Sequence, residues 1–279
     1  MRLASTKTAA ALCGGLLLAM SVPASAAVDA KLLDMLKDTV ILLNPAGGKG
    51  LMSLLATHPP LEQRIADLEG GVQGFGFASG MAATATALEL LDAGSHIVTG
   101  DDLYGGSWRL FERVRRRSMG LDFSYIDLAD LSAVEVAITP KTRMLWVETP
   151  TNPLMKLADI EGLSRIAKAH GLLLIVDNTF ATPWSQQPLK LGADVVMHSA
   201  TKYLNGHSDI IGGALVTANP ELAKEIKFLQ NSIGGVMGPF DAFLANRGQK
   251  TLGLRMKAHN ENALAVARWL EDRRGIAKV

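Results

Sequence analysis

Short apolar runs alternate with amphipathic segments from residue 60 onward, and this alternation is the clearest structural pattern in the sequence. The run LLLIV at residues 172–176 has no polar position, which predicts a strand buried on both faces of a parallel sheet. Further strands are predicted at residues 96–100, 122–127, 143–150 and 193–198, and a short strand-like run, GFGF, precedes the glycine turn at Gly80.

Helices are predicted between these strands. The segment IEGLSRIAKAHG has the apolar spacing of an amphipathic helix, and Gly171 is its stop signal. The predicted helices cover residues 60–68, about 80–94, 108–117, 160–170, 221–230 and 252–271. The alternation indicates an α/β fold, with a mainly parallel sheet flanked by helices.

The first 26 residues have the order of a secretory signal. Arg2 and Lys7 precede an apolar stretch at about 9–20, and a small-x-small site follows at 24–26. The stretch is too short for a comfortable membrane span, so no stable span is expected after its removal. The alternative interpretation is a misassigned N-terminus. Residues 27–59 match no regular pattern.

Composition narrows the possible partners. The chain has 279 residues, 48% of them hydrophobic, and a formal charge of +1, so no global field favours nucleic acid. The basic run at residues 113–118 is interpreted as a solvated helix face. His198 and His207 have no third ligand at metal-like spacing, so no metal is expected. The single cysteine, Cys13, lies in the leader, and a mature chain without it would contain no disulfide.

An acid and an amine are predicted to lie together at one edge of the sheet. Asp177 follows the run at 172–176, and Lys202 follows the next predicted strand. Neighbouring parallel strands would bring both side chains to the edge where α/β sheets bind ligands. Taken singly, Asp177 could be a helix cap or an ion-pair partner, and Lys202 a solvated surface charge.

A phosphate site is predicted near the same edge. Gly80 and Met81 open a helix, whose first N–H groups attract anions, and Ser199 and Thr201 add hydroxyl donors. Alternatively, this helix start is capped by Ser79 and binds nothing. An amine, a strand-end acid and a phosphate site together suggest pyridoxal 5′-phosphate. Tyr104, before two glycines, is the candidate that stacks on its ring.

Five stretches of the sequence closely resemble the Cys/Met-metabolism family of pyridoxal phosphate enzymes, which includes cystathionine γ-lyase and cystathionine γ-synthase. They are SGMAATATALELLDAGSHIV, DDLYGGSWRLFERV, WVETPTNPLMKLADI, VDNTFATPWSQQPLKLGADVVMHSATKYLNGHSDIIGGALV and NSIGGVMGPFDAFLANRGQKTLGLRM. The resemblance runs from about Leu61 to Val279 and implies the fold type I architecture of aspartate aminotransferase. The implied organisation is a leader (1–26), a segment outside the family (27–59), a cofactor-binding large domain (60–256) and the first helix of a C-terminal domain (257–279).

The resemblance also implies roles for individual residues. Lys202 matches the Schiff-base lysine, and Asp177 matches the partner of the pyridine nitrogen. Tyr104 matches the tyrosine that stacks on the ring and takes part in proton transfer, and Asn152 matches an asparagine near the ring oxygen and the substrate carboxylate. The matches to phosphate-binding positions are Gly80, Met81, Ser199 and Thr201.

The implied reaction breaks or forms a carbon–sulfur bond in a sulfur amino acid, such as cystathionine or a related homoserine ester. The implied assembly is a homodimer or homotetramer, and the implied compartment is the cytoplasm, although the leader favours export. Lyase, synthase, O-acyl-homoserine sulfhydrylase and methionine γ-lyase activities all stay open. An exported binding protein unrelated to this chemistry is a further alternative.

Two departures from the family pattern put activity in doubt. The family's Tyr-x-Arg motif, which reaches the phosphate of the neighbouring subunit, is replaced in register by Gly50 and Met52. The C-terminal small domain, which supplies the arginine for the substrate carboxylate, is largely missing, and neither Arg247 nor Arg255 is equivalent to that arginine. An inactive remnant that binds the cofactor weakly, or only associates with intact subunits, is therefore the alternative to an active enzyme.

Overall fold

The computed structural model describes residues 60–276 and, upstream of them, the backbone of two strands, β1 (Thr8–Cys13) and β2 (Leu16–Ser21). These two strands pair antiparallel and belong to a compact unit separate from residues 61–279. Gly50, Met52 and the segment 27–59 lie outside the described residues, and the leader is described only for its two strands. The expectations about these parts of the chain stay predictions.

A seven-stranded sheet forms the centre of the larger unit, in the order β3-β9-β8-β7-β6-β4-β5. The pairs from β8 to β5 are all parallel, whereas β9 runs antiparallel to both of its neighbours. The predicted α/β fold with a mainly parallel sheet is therefore confirmed. The strands are β3 (Gln73–Phe77), β4 (His96–Gly100), β5 (Asp122–Ile126), β6 (Thr142–Glu148), β7 (Leu173–Asp177), β8 (Val195–His198) and β9 (Gly213–Thr217).

Helices flank the sheet and connect its parallel strands. A π-helical turn (Leu110–Arg115) joins α3 to α4, and a 3-10 turn (Pro188–Leu191) precedes β8. The α-helices are α1 (Leu61–Glu69), α2 (Gly80–Leu88), α3 (Gly105–Arg109), α4 (Arg116–Ser118), α5 (Leu131–Ala137), α6 (Ile160–His170), α7 (Thr182–Ser185), α8 (Pro220–Ile233), α9 (Pro239–Gln249) and α10 (Leu252–Glu271). None of the helices among the described residues is long and apolar enough to cross a membrane.

The apolar strands are buried on both faces, which explains their continuous hydrophobic runs. In β7, Ile175 packs into one core cluster, whereas Leu174 and Val176 pack into another on the opposite face. Each of these side chains is fully buried and contributes ~1.5–3 kcal/mol to folding. Because side chains alternate along a strand, Asp177 follows Ile175 onto the face that α2 covers.

Several elements differ from the sequence-based predictions. The alanine-rich helix α2 ends at Leu88 rather than near Gly94, because consecutive turns bond Leu90 N–H to Ala87 O and Leu91 N–H to Leu88 O. Three helices and one strand had not been predicted, and none of them has a regular apolar spacing that identifies it. They are α5, α7, α9 and β9.

The junction between β9 and the start of α2 depends on a glycine. A Cβ on Gly213 would overlap the carbonyl oxygen of Ser79 and lie 2.8 Å from the backbone nitrogen of Gly80. These are backbone atoms that no side-chain rotation can move. We expect Gly213→Ala to lower the free energy of unfolding by ~1–3 kcal/mol, as overpacking does. Urea denaturation measures this change.

Gly105→Ala is the control for that substitution. A Cβ on Gly105 meets nothing within 4 Å, so its variant should unfold within ~0.5 kcal/mol of the wild type. Equal stability of the two variants would show that β9 and the α2 start are not in close contact.

Candidate active site

The predicted meeting of Asp177 and Lys202 follows from the strand order. β7 and β8 are parallel neighbours, and Asp177 is the last residue of β7. β8 ends at His198, and a series of turns carries the chain on to Lys202 at the same edge. In these turns, Lys202 N–H donates to Ser199 O at 3.1 Å. The Lys202 side chain is exposed and has no hydrogen bond or ion pair with any other residue of the described range 60–276.

Asp177 is a buried carboxyl group, 6% exposed, with one oxygen engaged. Its Oδ1 accepts hydrogen bonds from Thr179 N–H at 3.1 Å and from the Thr179 hydroxyl at 2.5 Å. That hydroxyl in turn accepts from Ser199 N–H at 2.8 Å, which links β7 to the turn carrying Lys202. Oδ2 has no such bond to the described residues. Burial raises the pKa of Asp177, while the Thr179 bonds and nearby His198 oppose the rise.

The start of α2 lies directly against the Lys202 turn. Ser79 is the N-cap, and its hydroxyl accepts from Ala82 N–H at 3.0 Å. The N–H groups of Gly80 and Met81 begin the helix and have no intrahelical acceptor. A Cβ on Gly80 would lie 3.0 Å from Ser199 Cβ, so the glycine permits this close approach. Ser79 therefore caps the helix, as the alternative interpretation held, yet leaves these first N–H groups available.

The two predicted hydroxyl donors differ in their surroundings. Thr201 Oγ1 donates to Gly212 O at 3.1 Å and accepts from Gly212 N–H at 3.0 Å. The proton of Thr201 is thus already engaged, which weakens the prediction that this side chain donates to a phosphate. The Ser199 hydroxyl has no partner among the described residues and is the better donor.

Tyr104 stands at the start of α3, after β4. Its ring is 47% exposed and lies over Gly106, where a Cβ would overlap Tyr104 Cε1. Gly106, two positions after the tyrosine, therefore makes room for the ring. Tyr104 N–H donates to Glu148 Oε2 at 2.8 Å.

Glu148 is a site residue that sequence reasoning had missed. It ends β6 and lies in register beside Asp177 of β7. Its second oxygen, Oε1, accepts from Asn152 N–H at 2.9 Å, so one carboxyl group contacts the backbone of two predicted site residues. Burial, followed by the charge of Asp177, raises the pKa of Glu148 to about 8. Glu148 could have been found by the rule that identified Asp177, because it too ends an apolar strand.

The two arginines near the site are engaged in supporting the Lys202 turn. The Arg255 guanidinium donates to Tyr203 O at 2.8 Å, Gly248 O at 2.9 Å and Thr251 Oγ1 at 3.0 Å. Arg247 forms an ion pair with Asp209 at 2.6 Å. All three nitrogens of the Arg255 guanidinium are thus engaged, whereas Arg247 is paired through Nη2.

The two histidines considered as metal ligands have other partners. His198 is fully buried, and its Nε2 contacts Glu69 Oε1 at 2.5 Å. His207 Nδ1 bonds to Asn205 O at 2.7 Å. Among the described residues, no three His, Cys, Asp or Glu side chains are arranged to hold a metal ion.

Comparisons with known proteins identify the family to which this chain belongs. The profile of the Cys/Met metabolism PLP-dependent enzymes matches residues 54–279. A cystathionine β-lyase of Coxiella burnetii is 57% identical over 219 residues, which cover 78% of this chain and 57% of that protein. A probable cystathionine γ-synthase of Herpetosiphon aurantiacus is 52% identical, with 80% of this chain and 70% of that protein covered.

A solved structure supports the same relationship. The crystal structure of cystathionine γ-lyase from Lactobacillus plantarum, complexed with L-serine, matches with a TM-score of 0.78 and 45% identity. The match covers 85% of this chain and 63% of that one. The chain thus spans little more than half the length of the Coxiella burnetii relative.

The protonation of Glu148 should make the stability of the apoprotein depend on pH. The folded state holds this proton up to about pH 8, whereas an unperturbed glutamate releases it near its usual pKa of 4.5. Between these values the folded state binds more protons, so the free energy of unfolding should fall as pH rises. The slope from this group is at most ~1.4 kcal/mol per pH unit.

Urea denaturation at pH 5.5, 6.5 and 7.5 and constant ionic strength tests this expectation. Glu148→Gln should remove the contribution, so its stability curve should be flatter than that of the wild type. Glu221→Gln, which removes the exposed ion pair with Lys224, should keep the wild-type slope. Parallel curves for the wild type and Glu148→Gln would show that Glu148 titrates normally.

Proposed function

Because this chain belongs to the Cys/Met metabolism family of PLP-dependent enzymes, we propose that it is the cofactor-binding part of a carbon–sulfur lyase or γ-replacement enzyme acting on sulfur amino acids. One observation carries the proposal: a buried acid, an amine and a helix N-terminus converge at one edge of the sheet. Each of them fits one part of pyridoxal phosphate.

The phosphate group fits the start of α2. Gly80 and Met81 present N–H groups with no intrahelical acceptor, and the positive end of the helix dipole favours an anion there. The Ser199 hydroxyl, adjacent to Gly80, adds a donor without a present partner. Thr201 would contribute only after its hydroxyl turns away from Gly212 O.

The pyridine nitrogen fits Asp177. The buried carboxyl group has one oxygen bound to Thr179 and the other, Oδ2, without a hydrogen bond to the described residues. A protonated ring nitrogen opposite Oδ2 would stabilise the ionised acid and offset the cost of its burial. Thr179 keeps the carboxyl group oriented while it does so.

Lys202 is the proposed attachment point. Pyridoxal phosphate supplies an aldehyde that bonds an amine and a ring that withdraws electrons from a substrate α-carbon. Lys202 Nζ would provide that amine and, once the substrate's own amine has replaced it, the unprotonated Nζ could accept the α-proton of the substrate. The bond to a β-sulfur could then break with its electron pair leaving on the thiol, whereas loss of a γ-substituent would first require removal of a β-proton as well.

Tyr104 and Asn152 complete the proposed site. The exposed ring of Tyr104, over Gly106, is available to stack on the cofactor, and its hydroxyl is free for proton transfer. Asn152 follows β6 at the same edge and is proposed to contact the ring oxygen and the substrate carboxylate.

The wider organisation is proposed from the same family. We propose a large domain at residues 60–256, the first helix of a C-terminal domain at 257–279, and assembly as a homodimer or homotetramer. We propose the cytoplasm as the compartment, with export as the alternative if residues 1–26 act as a signal. Size-exclusion chromatography with light scattering tests the assembly, and cell fractionation tests the compartment.

The Lys202 attachment predicts a spectrum. The purified full chain, mixed with excess pyridoxal phosphate and then desalted, should keep a visible absorbance band. Lys202→Ala should lose that band, because it removes the amine to which the cofactor is proposed to bond. Lys227→Ala, an exposed lysine on α8, is the matched control and should keep it. Retention of the band in Lys202→Ala would contradict the proposed function.

Turnover separates an active enzyme from a cofactor-binding remnant. Cystathionine, methionine and an O-acyl-homoserine with sulfide are the substrates to compare, with released thiol and keto acid as the readouts. An active chain should process at least one of them, and Lys202→Ala none. A visible band in the wild type without turnover of any substrate would favour the remnant.

A further inference from the structure

One buried carboxyl group joins two loops that the proposed function uses. Glu148 is 7% exposed and ends β6. Its Oε2 accepts from Tyr104 N–H at 2.8 Å, and its Oε1 accepts from Asn152 N–H at 2.9 Å. Tyr104 lies in the loop after β4, and Asn152 in the loop after β6. The strands β4 and β6 are parallel neighbours, so both loops leave the sheet at the same edge.

We propose that Glu148 is a positioning residue that fixes the backbones of Tyr104 and Asn152 around the cofactor, an inference that rests on the proposed function. We call these two hydrogen bonds the Glu148 clamp. Both oxygens of the Glu148 carboxyl group accept a backbone N–H, and burial strengthens these bonds by excluding competing water. Within the described range 60–276, Glu148 is therefore the one side chain that bonds to both the Tyr104 and the Asn152 amides.

The surroundings of Tyr104 explain why its backbone needs such support. The Tyr104 ring is about half exposed, and its hydroxyl has no partner among the described residues. Gly106 supports one face of the ring without bonding to it. The position of the ring is thus set mainly by the backbone of residue 104, whose N–H donates to Glu148.

A second acid, Asp102 in the loop after β4, joins the same two loops through other groups. Asp102 Oδ2 accepts from Leu154 N–H at 2.9 Å and from the Thr151 hydroxyl at 2.5 Å. Asp102 thus stabilises the same loop as Glu148, but through other groups and without contacting the Tyr104 or Asn152 amides. It provides a control that separates positioning from general loop stability.

Hydrogen exchange resolved to single amides tests the clamp directly. In the wild-type apoprotein, the Tyr104 and Asn152 amides should exchange at least ~10-fold more slowly than the Gly105 amide, which begins α3 without an intrahelical acceptor. Glu148→Gln leaves one carbonyl acceptor and turns an NH₂ group towards the other amide. It should therefore speed exchange of at least one of the two by ~10-fold or more. Asp102→Asn should change the Leu154 amide instead.

Cofactor affinity connects the clamp to the site. Fluorescence titration with pyridoxal phosphate should show affinity reduced ~10-fold or more in Glu148→Gln, because a buried amide left without its acceptor has about this effect. Asp102→Asn should bind within about threefold of the wild type, although it loosens the same loop. Equal losses in the two variants would assign Glu148 a general structural role and overturn the inference.

The two measurements, amide exchange and cofactor affinity, distinguish failure of the inference from failure of the proposed function. Fast exchange of the Tyr104 and Asn152 amides in the wild type would overturn the clamp even if Glu148→Gln failed to fold. A wild-type chain that protects both amides but does not bind pyridoxal phosphate would contradict the proposed function, while the clamp itself would stand.

Discussion

The parallel pairing of β7 with β8 is the constraint on which the candidate site depends. It places the carboxyl end of β7, with Asp177, beside the turns that lead from β8 to Lys202. The Thr179 hydroxyl, which donates to Asp177 and accepts from Ser199 N–H, bonds the two chain segments together. Neither residue is unusual alone. The candidate site arises because hydrogen bonding between β7 and β8 brings an acid and an amine to the same edge of the sheet.

Burial of the sheet on both faces explains why the polar groups of the site lie where they do. In β7, and in β6 after Arg143, every residue before the last is apolar, so the carboxyl group appears only where the strand leaves the core. Glu148 and Asp177 obey this rule on adjacent strands, and their register makes them neighbours. Because the two acids are buried and close together, ionisation of one raises the free energy needed to ionise the other. Backbone N–H groups offset that cost for Glu148, and Thr179 does so for Asp177.

Much of this arrangement could be predicted from the sequence. The continuous apolar run before Asp177 identified a buried parallel strand, and the amphipathic spacing identified α6 and α10 closely. β9 was missed because it begins with Gly213 directly after Gly212, a pair that indicates a turn, and α9 because its apolar positions do not repeat regularly. The engagement of Thr201 with Gly212, and of Glu148 with two distant amides, depends on contacts between separate parts of the chain. No local pattern encodes such contacts.

The central claim is that the cofactor bonds to one lysine, and chemical trapping tests it most directly. The full chain is mixed with pyridoxal phosphate, reduced with borohydride and digested, and the labelled peptides are mapped by mass spectrometry. The account predicts a single label of one cofactor per chain, on Lys202. A label on another lysine, or spread over several exposed lysines, would contradict it.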